Sequence, residues 1–226
     1  MSGSPSSPQL PAAAVANRRQ LPCLSLGRYD LCANSTWLGG DQEAPNPEVF
    51  AYWLNGAAPL AFQIDHDHLS DVVGRVMDYV LAHPQADGLL GVPLEERKTC
   101  GAGACPANDT CGKTSCRAPR FENGTLYWSK SVLAHALQQY AEGNTSDARA
   151  IPALERHFAA IGRHLETTPP AMWGASRWVE SAMGMQWMMD RGLGGPELLE
   201  ALHSLHTQST ALYDWPARFL TEGGPW

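Results

Sequence analysis

Residues 151–165, IPALERHFAAIGRHL, and residues 173–190, WGASRWVESAMGMQWMMD, lie either side of the breaker Thr168-Pro169-Pro170, and together they set the fold class. In the first stretch Ile151, Leu154, Phe158, Ile161 and Leu165 recur at alternating three- and four-residue intervals with charges between them. That is the stripe of a helix buried on one side. The second stretch carries Trp and Met around most of its circumference, the pattern of a helix with neighbours on most sides.

The same alternation runs through the rest of the chain. Asn46-Pro47-Glu48 combines a cap residue, a Pro at the first helical position and an early acid, so a helix starts there. It runs through Phe50, Tyr52, Trp53, Leu54, Leu60, Ala61 and Ile64 and is apolar nearly all round despite Gly56 and Pro59. After the polar corner Asp65-His66-Asp67-His68 comes a one-sided helix with Leu69, Val72, Val73, Val76 and Val80, closed by His83-Pro84 and the Asp87-Gly88 turn. Periodicity resumes at about Tyr127 and stops at Gly143. A sixth helix opens at Pro196-Glu197 with Leu198, Leu199, Leu202 and Leu205. No run of alternating β-branched residues bounded by hairpin turns suggests a sheet. The reading is all-α: three helical hairpins with buried odd helices and half-buried even ones, as in part of an α/α toroid.

Residues 1–20 read as a disordered leader, and 21–226 as one domain with a Cys-rich loop inserted at about 89–125. The formal charge of −7 gives no basic footprint for nucleic acid. No apolar run approaches the roughly 20 residues that span a bilayer. Four of the seven Asn, namely Asn34, Asn108, Asn123 and Asn144, head Asn-x-Ser/Thr triplets without Pro at the middle position, an excess that reads as glycosylation. Cys23, Cys32, Cys100, Cys105, Cys111 and Cys116 all fall outside the helical segments. Loop cysteines and sequons together indicate an oxidising compartment and disulfides, with Cys23 and Cys32 as one pair. The reading is a secreted or luminal protein. Because the leader lacks a signal peptide's apolar core, the natural start is expected upstream.

The segments Trp37-Leu38-Gly39-Gly40, Tyr52-Trp53-Leu54-Asn55-Gly56 with Pro59-Leu60, Asp87-Gly88-Leu89-Leu90-Gly91, Gln139-Tyr140-Ala141-Glu142, Trp173-Gly174-Ala175-Ser176-Arg177-Trp178 and Asp214-Trp215 resemble, in order and spacing, the N-terminal half of the β-L-arabinofuranosidase catalytic domain of glycoside hydrolase family 127. The resemblance implies a six-hairpin toroid acting on arabinofuranose-containing glycans. It also implies a zinc-bound Cys nucleophile beside a Glu, carried in a Glu-x-Cys segment. No Glu-x-Cys occurs in this sequence. The expectation is therefore a truncated relative without the hydrolytic centre, with no cofactor of its own and zinc only in a full-length relative. The alternative is a non-catalytic glycan-binding or structural secreted helical protein.

Eight Trp is a high count, and flat indoles with an N–H suit partly open sites where sugar rings stack. Trp53, Asn55, Trp173, Arg177, Trp178 and Glu180 sit near the starts of the odd helices, with Glu48, Tyr52 and Trp128 beside them. In a toroid those starts open to one funnel mouth, so these residues form the expected sugar site. For each alone, core packing or a buried ion pair is the competing reading. Four loop thiolates spaced as Cys100, Cys105, Cys111 and Cys116 read as disulfides rather than a zinc knuckle. Asp65-His66-Asp67-His68 reads as a solvated corner rather than a metal site. The expected partner is a carbohydrate, with self-association through uncovered toroid edges.

Overall fold

A computed structural model of the chain describes residues 23–24, 31–32, 47–91 and 123–214. The leader, the sequons at Asn34 and Asn108, Cys100 to Cys116 and the Trp37 and Trp215 segments lie outside the described residues.

The described chain is helical apart from one two-residue antiparallel pair, β1 (Cys23–Leu24) with β2 (Leu31–Cys32), whose register sets Cys23 opposite Cys32. Two-residue strands are too short to leave an alternation in sequence. The helices are α1 (Pro47–Gln63), α2 (Asp67–Ala82), α3 (Tyr127–Gly143), α4 (Ala150–Leu165), α5 (Met172–Ser176), α6 (Trp178–Met189) and α7 (Gly195–Thr210). A 3₁₀ turn, Asn123–Leu126, leads into α3.

Local chemistry accounts for the boundaries. His66 caps α2, its Nδ1 accepting from the Leu69 N–H at 3.2 Å. Asp87 Oδ1 accepts from the Leu89 N–H, and Gly88 takes a φ of +93° to close the turn after α2. Pro196 opens the first turn of α7, where a missing N–H costs nothing. Pro59 lies inside α1 and cannot donate to the Asn55 carbonyl. Gln139 of α3 donates to that carbonyl instead, so a defect in one helix becomes a bond to the next.

The helices form two layers. α1, α3 and α6 lie side by side: Tyr52 meets Trp128, Phe62 meets Tyr140, Ser131 meets Ser181, and Gln138 reaches the Gly184 carbonyl, so all three run in the same direction. α2 packs on α1, α4 on α3 and α7 on both α4 and α6, making the second layer. The core between them includes Leu54, Val76, Val80, Leu133, Leu137, Phe158, Ile161, Met185 and Leu205. α1 approaches α3 closely because Gly143 has no side chain. A Cβ there would lie far closer to Cδ2 of the Phe62 ring than van der Waals contact allows.

All-round burial holds only for α3, where Tyr127 through Ala134 are buried without a break. α1 and α6 flank it and keep open faces, with Leu60, Ile64, Val179 and Met183 exposed, because each has α3 on one side only within its layer. Leu199, placed on the apolar stripe of the last helix by its spacing, is also exposed. The stretch from Trp173 to Asp190 is not one helix. It breaks at Arg177 (φ −113°, ψ 25°), separating the short α5, which packs on the 3₁₀ turn, from α6.

Candidate functional site

The break at Arg177 builds the site. Leaving the helix there lets the guanidinium lie over the Trp128 ring, 4.9 Å from its centroid, while pairing with Glu180 Oε1 at 2.7 Å. Trp128 sits in the first turn of α3 and is only 9 % exposed. Its Nε1 donates to the Tyr52 hydroxyl at 3.1 Å, and the two rings meet edge to face. Trp173, in α5, lies with its centroid 6.0 Å from that of Trp128 and is 52 % exposed; Tyr52 is 39 % exposed. One buried indole thus supports two open aromatic faces at the starts of α1, α3 and α6.

The polar groups around these rings are unequally satisfied. Glu180 Oε2 is shut from solvent and has no hydrogen-bond partner among the described residues. Burial raises the Glu48 carboxyl above its ordinary range, opposed by the charge of Arg177, which places Glu48 in the field of the same guanidinium. His135 Nε2 donates to the Glu180 backbone carbonyl at 2.9 Å, and burial pushes this imidazole below its usual value against that bond and the Glu180 charge. The histidine is therefore neutral near pH 7, with its proton on Nε2. Donors and acceptors thus alternate beside exposed indole and phenol faces.

Of the residues singled out in sequence, the fold brings together Tyr52, Trp128, Trp173, Arg177 and Glu180. Asn55 lies on the neighbouring strip of α1, where its side chain and carbonyl both receive Gln139 Nε2. Trp178 points the other way and meets His206 of α7 edge to face at 4.9 Å. Trp53 packs beside Phe50 against the core. Adjacent residues such as Arg177 and Trp178 project in different directions, so closeness in sequence did not carry over to closeness in the site. His66 serves as the cap of α2. No group of three or more His, Cys, Asp or Glu that could hold a metal ion occurs among the described residues. No helix among the described residues is long and apolar enough to cross a membrane. The Asn144 amide donates to the Tyr140 hydroxyl at 3.0 Å and its oxygen accepts from Ser146, so this sequon is engaged with its own helix end.

A buried polar cluster went unread in the sequence. Lys130 is 2 % exposed, and its Nζ donates to the Leu90 carbonyl at 2.9 Å. The Leu90 N–H donates to Nδ1 of the buried His157 at 3.0 Å. Desolvation lowers the Lys130 amine to about 7, with Asp87 opposing, and lowers His157 to about 3, with the Lys130 charge adding to the effect. Burial acts to raise the Asp87 carboxyl, but the Leu89 N–H, His164 and Arg163 outweigh it and hold it below its ordinary value. The available signal was Lys130 itself, a charge on a helix whose pattern leaves no wet face.

The chain matches no protein-family model, no curated protein and no solved structure.

Proposed function

We propose that this chain is a secreted glycan-binding α/α-toroid domain that resembles the β-L-arabinofuranosidases and holds arabinofuranose-containing sugar at the mouth formed by α1, α3, α5 and α6. The observation that carries the reading is the exposed Trp173 beside Trp128, with the Arg177–Glu180 pair across the same ring. An indole face stacks on the C–H surface of a sugar, and a paired guanidinium and carboxylate donate to and accept from adjacent hydroxyls. The three parallel helices of the inner layer support the toroid architecture.

We propose binding alone for these residues, among which no Glu-x-Cys segment occurs. Trp fluorescence titrated with arabinofuranose oligosaccharides tests the reading. Saturable binding is expected in the intact chain and is lost in Trp173→Ala, while Trp178→Phe, on the α7 side, binds as the parent does. Absence of saturable binding to any arabinose-containing oligomer refutes the reading. Release of sugar from an aryl arabinofuranoside refutes the non-hydrolytic half of it.

A further inference from the structure

The grouping of Arg, Glu and Trp at the mouth is built a second time, at the other end of the α3–α6 pair. Trp187 Nε1 donates to Glu142 Oε1 at 2.8 Å, Arg191 pairs with the same carboxylate oxygen, and the Arg191 guanidinium lies 3.9 Å from the centroid of the Trp187 ring. At the mouth, Trp128 comes from α3 and the Arg–Glu pair from the start of α6. At the far end, Glu142 comes from α3 and the Trp–Arg pair from the end of α6. Both groupings straddle the same seam between the two helices.

The residues between them share that seam. On α6, Glu180, Met183 and Trp187 recur at three- and four-residue intervals and so lie on one face, while Gly184, Met185 and Met188 are buried. Met183 is 62 % exposed. On α3, His135, Gln139 and Glu142 form the matching face, joined to α6 by His135 at one end and Glu142 at the other. Glu180 and Trp187 stand two helical turns apart, roughly 10 Å along the axis. A ligand touching both is longer than one sugar ring.

We propose that this seam is a glycan track, with Glu142, Trp187 and Arg191 forming a second sugar subsite that holds the far end of a chain seated at the mouth. The proposal rests on the glycan-binding reading above and narrows its ligand from a single sugar to an oligosaccharide. Both intramolecular bonds to Glu142 fall on Oε1, which leaves Oε2 to accept from a hydroxyl while the guanidinium donates to its neighbour. Met183 offers a polarisable apolar patch to the C–H faces between the two subsites.

The test is affinity against chain length. The intact protein, Trp187→Ala and Arg191→Gln are titrated by calorimetry with arabinofuranose oligomers from the monosaccharide upward. In the intact protein affinity rises about tenfold or more, equivalent to about 1.4 kcal/mol, once the oligomer spans both subsites. Both variants lose that gain and bind the shortest oligomers as the parent does. Arg191 is exposed at the helix end, so Arg191→Gln preserves the readout if Trp187→Ala lowers the melting temperature. Affinity independent of length in the intact protein, or a full length gain in both variants, overturns the second subsite and leaves the mouth site standing. No binding at any length overturns both.

Discussion

Replacing Lys130 with Met removes one ionisable group from the centre of the fold while keeping most of its volume. The Lys130 amine titrates near 7 in the folded chain because burial disfavours its charge, against an ordinary value of about 10.5 once unfolded. Between these values the unfolded chain binds the proton and the folded chain does not, so stability rises with pH across this window. Below pH 7 the amine is charged in both states and the fold carries the whole desolvation penalty. Above about pH 10.5 it is neutral in both and the penalty is gone. At 1.36 kcal/mol per pH unit, allowing for half-protonation at pH 7, the difference between pH 7 and pH 9 comes to about 2 kcal/mol. The Met variant lacks this term. It also leaves the Leu90 carbonyl without the Nζ donor, a loss of about 1–3 kcal/mol that does not depend on pH. Urea melts of both proteins at pH 7, 8 and 9 separate the two effects, because every other titrating group is common to both and His157 is neutral throughout. The parent should gain about 2 kcal/mol on the variant between pH 7 and pH 9, roughly 4–8 °C in melting temperature for a chain of this size. Parallel pH profiles would refute the assignment of a neutral buried amine.

Gly143→Ala introduces a Cβ against the Phe62 ring where α1 and α3 close. Overpacking of this kind costs about 1–3 kcal/mol and outweighs the roughly 1 kcal/mol that Ala gains in helix propensity, so a lower midpoint in urea is expected. Phe62→Leu in the same background should recover part of the loss; a variant as stable as the parent would show that the helices part freely here. The β1–β2 register sets Cys23 opposite Cys32, and directly paired antiparallel residues have Cα separations of about 4.5–5.5 Å, inside the range a disulfide needs. Peptide mapping without reduction, on protein made in a secretory host, should recover residues 23 and 32 cross-linked; either one linked to Cys100, Cys105, Cys111 or Cys116 instead would contradict the pairing.

The extents of α1 to α4 were legible in the sequence because local chemistry sets them. Pro47 opens α1, His83-Pro84 terminates α2, Gly143 closes α3, and Thr168-Pro169-Pro170 separates α4 from α5. The one-sided apolar patterns marked α2 and α4 as helices with a wet face, whereas the all-round patterns of α1 and α6 overstated their burial, since Leu60, Val179 and Met183 stand exposed. Which indoles meet was not legible. Trp128 and Trp173 come together, Trp53 and Trp178 do not, and the difference turns on a backbone break at Arg177 that no Gly or Pro announces. Nor could the sequence place Lys130 under the Leu90 loop or hand the Asn55 carbonyl, freed by Pro59, to Gln139. Periodicity is a property of one helix at a time. These contacts depend on how far each helix is rotated about its axis and slid along it, and that is settled only when neighbouring helices pack.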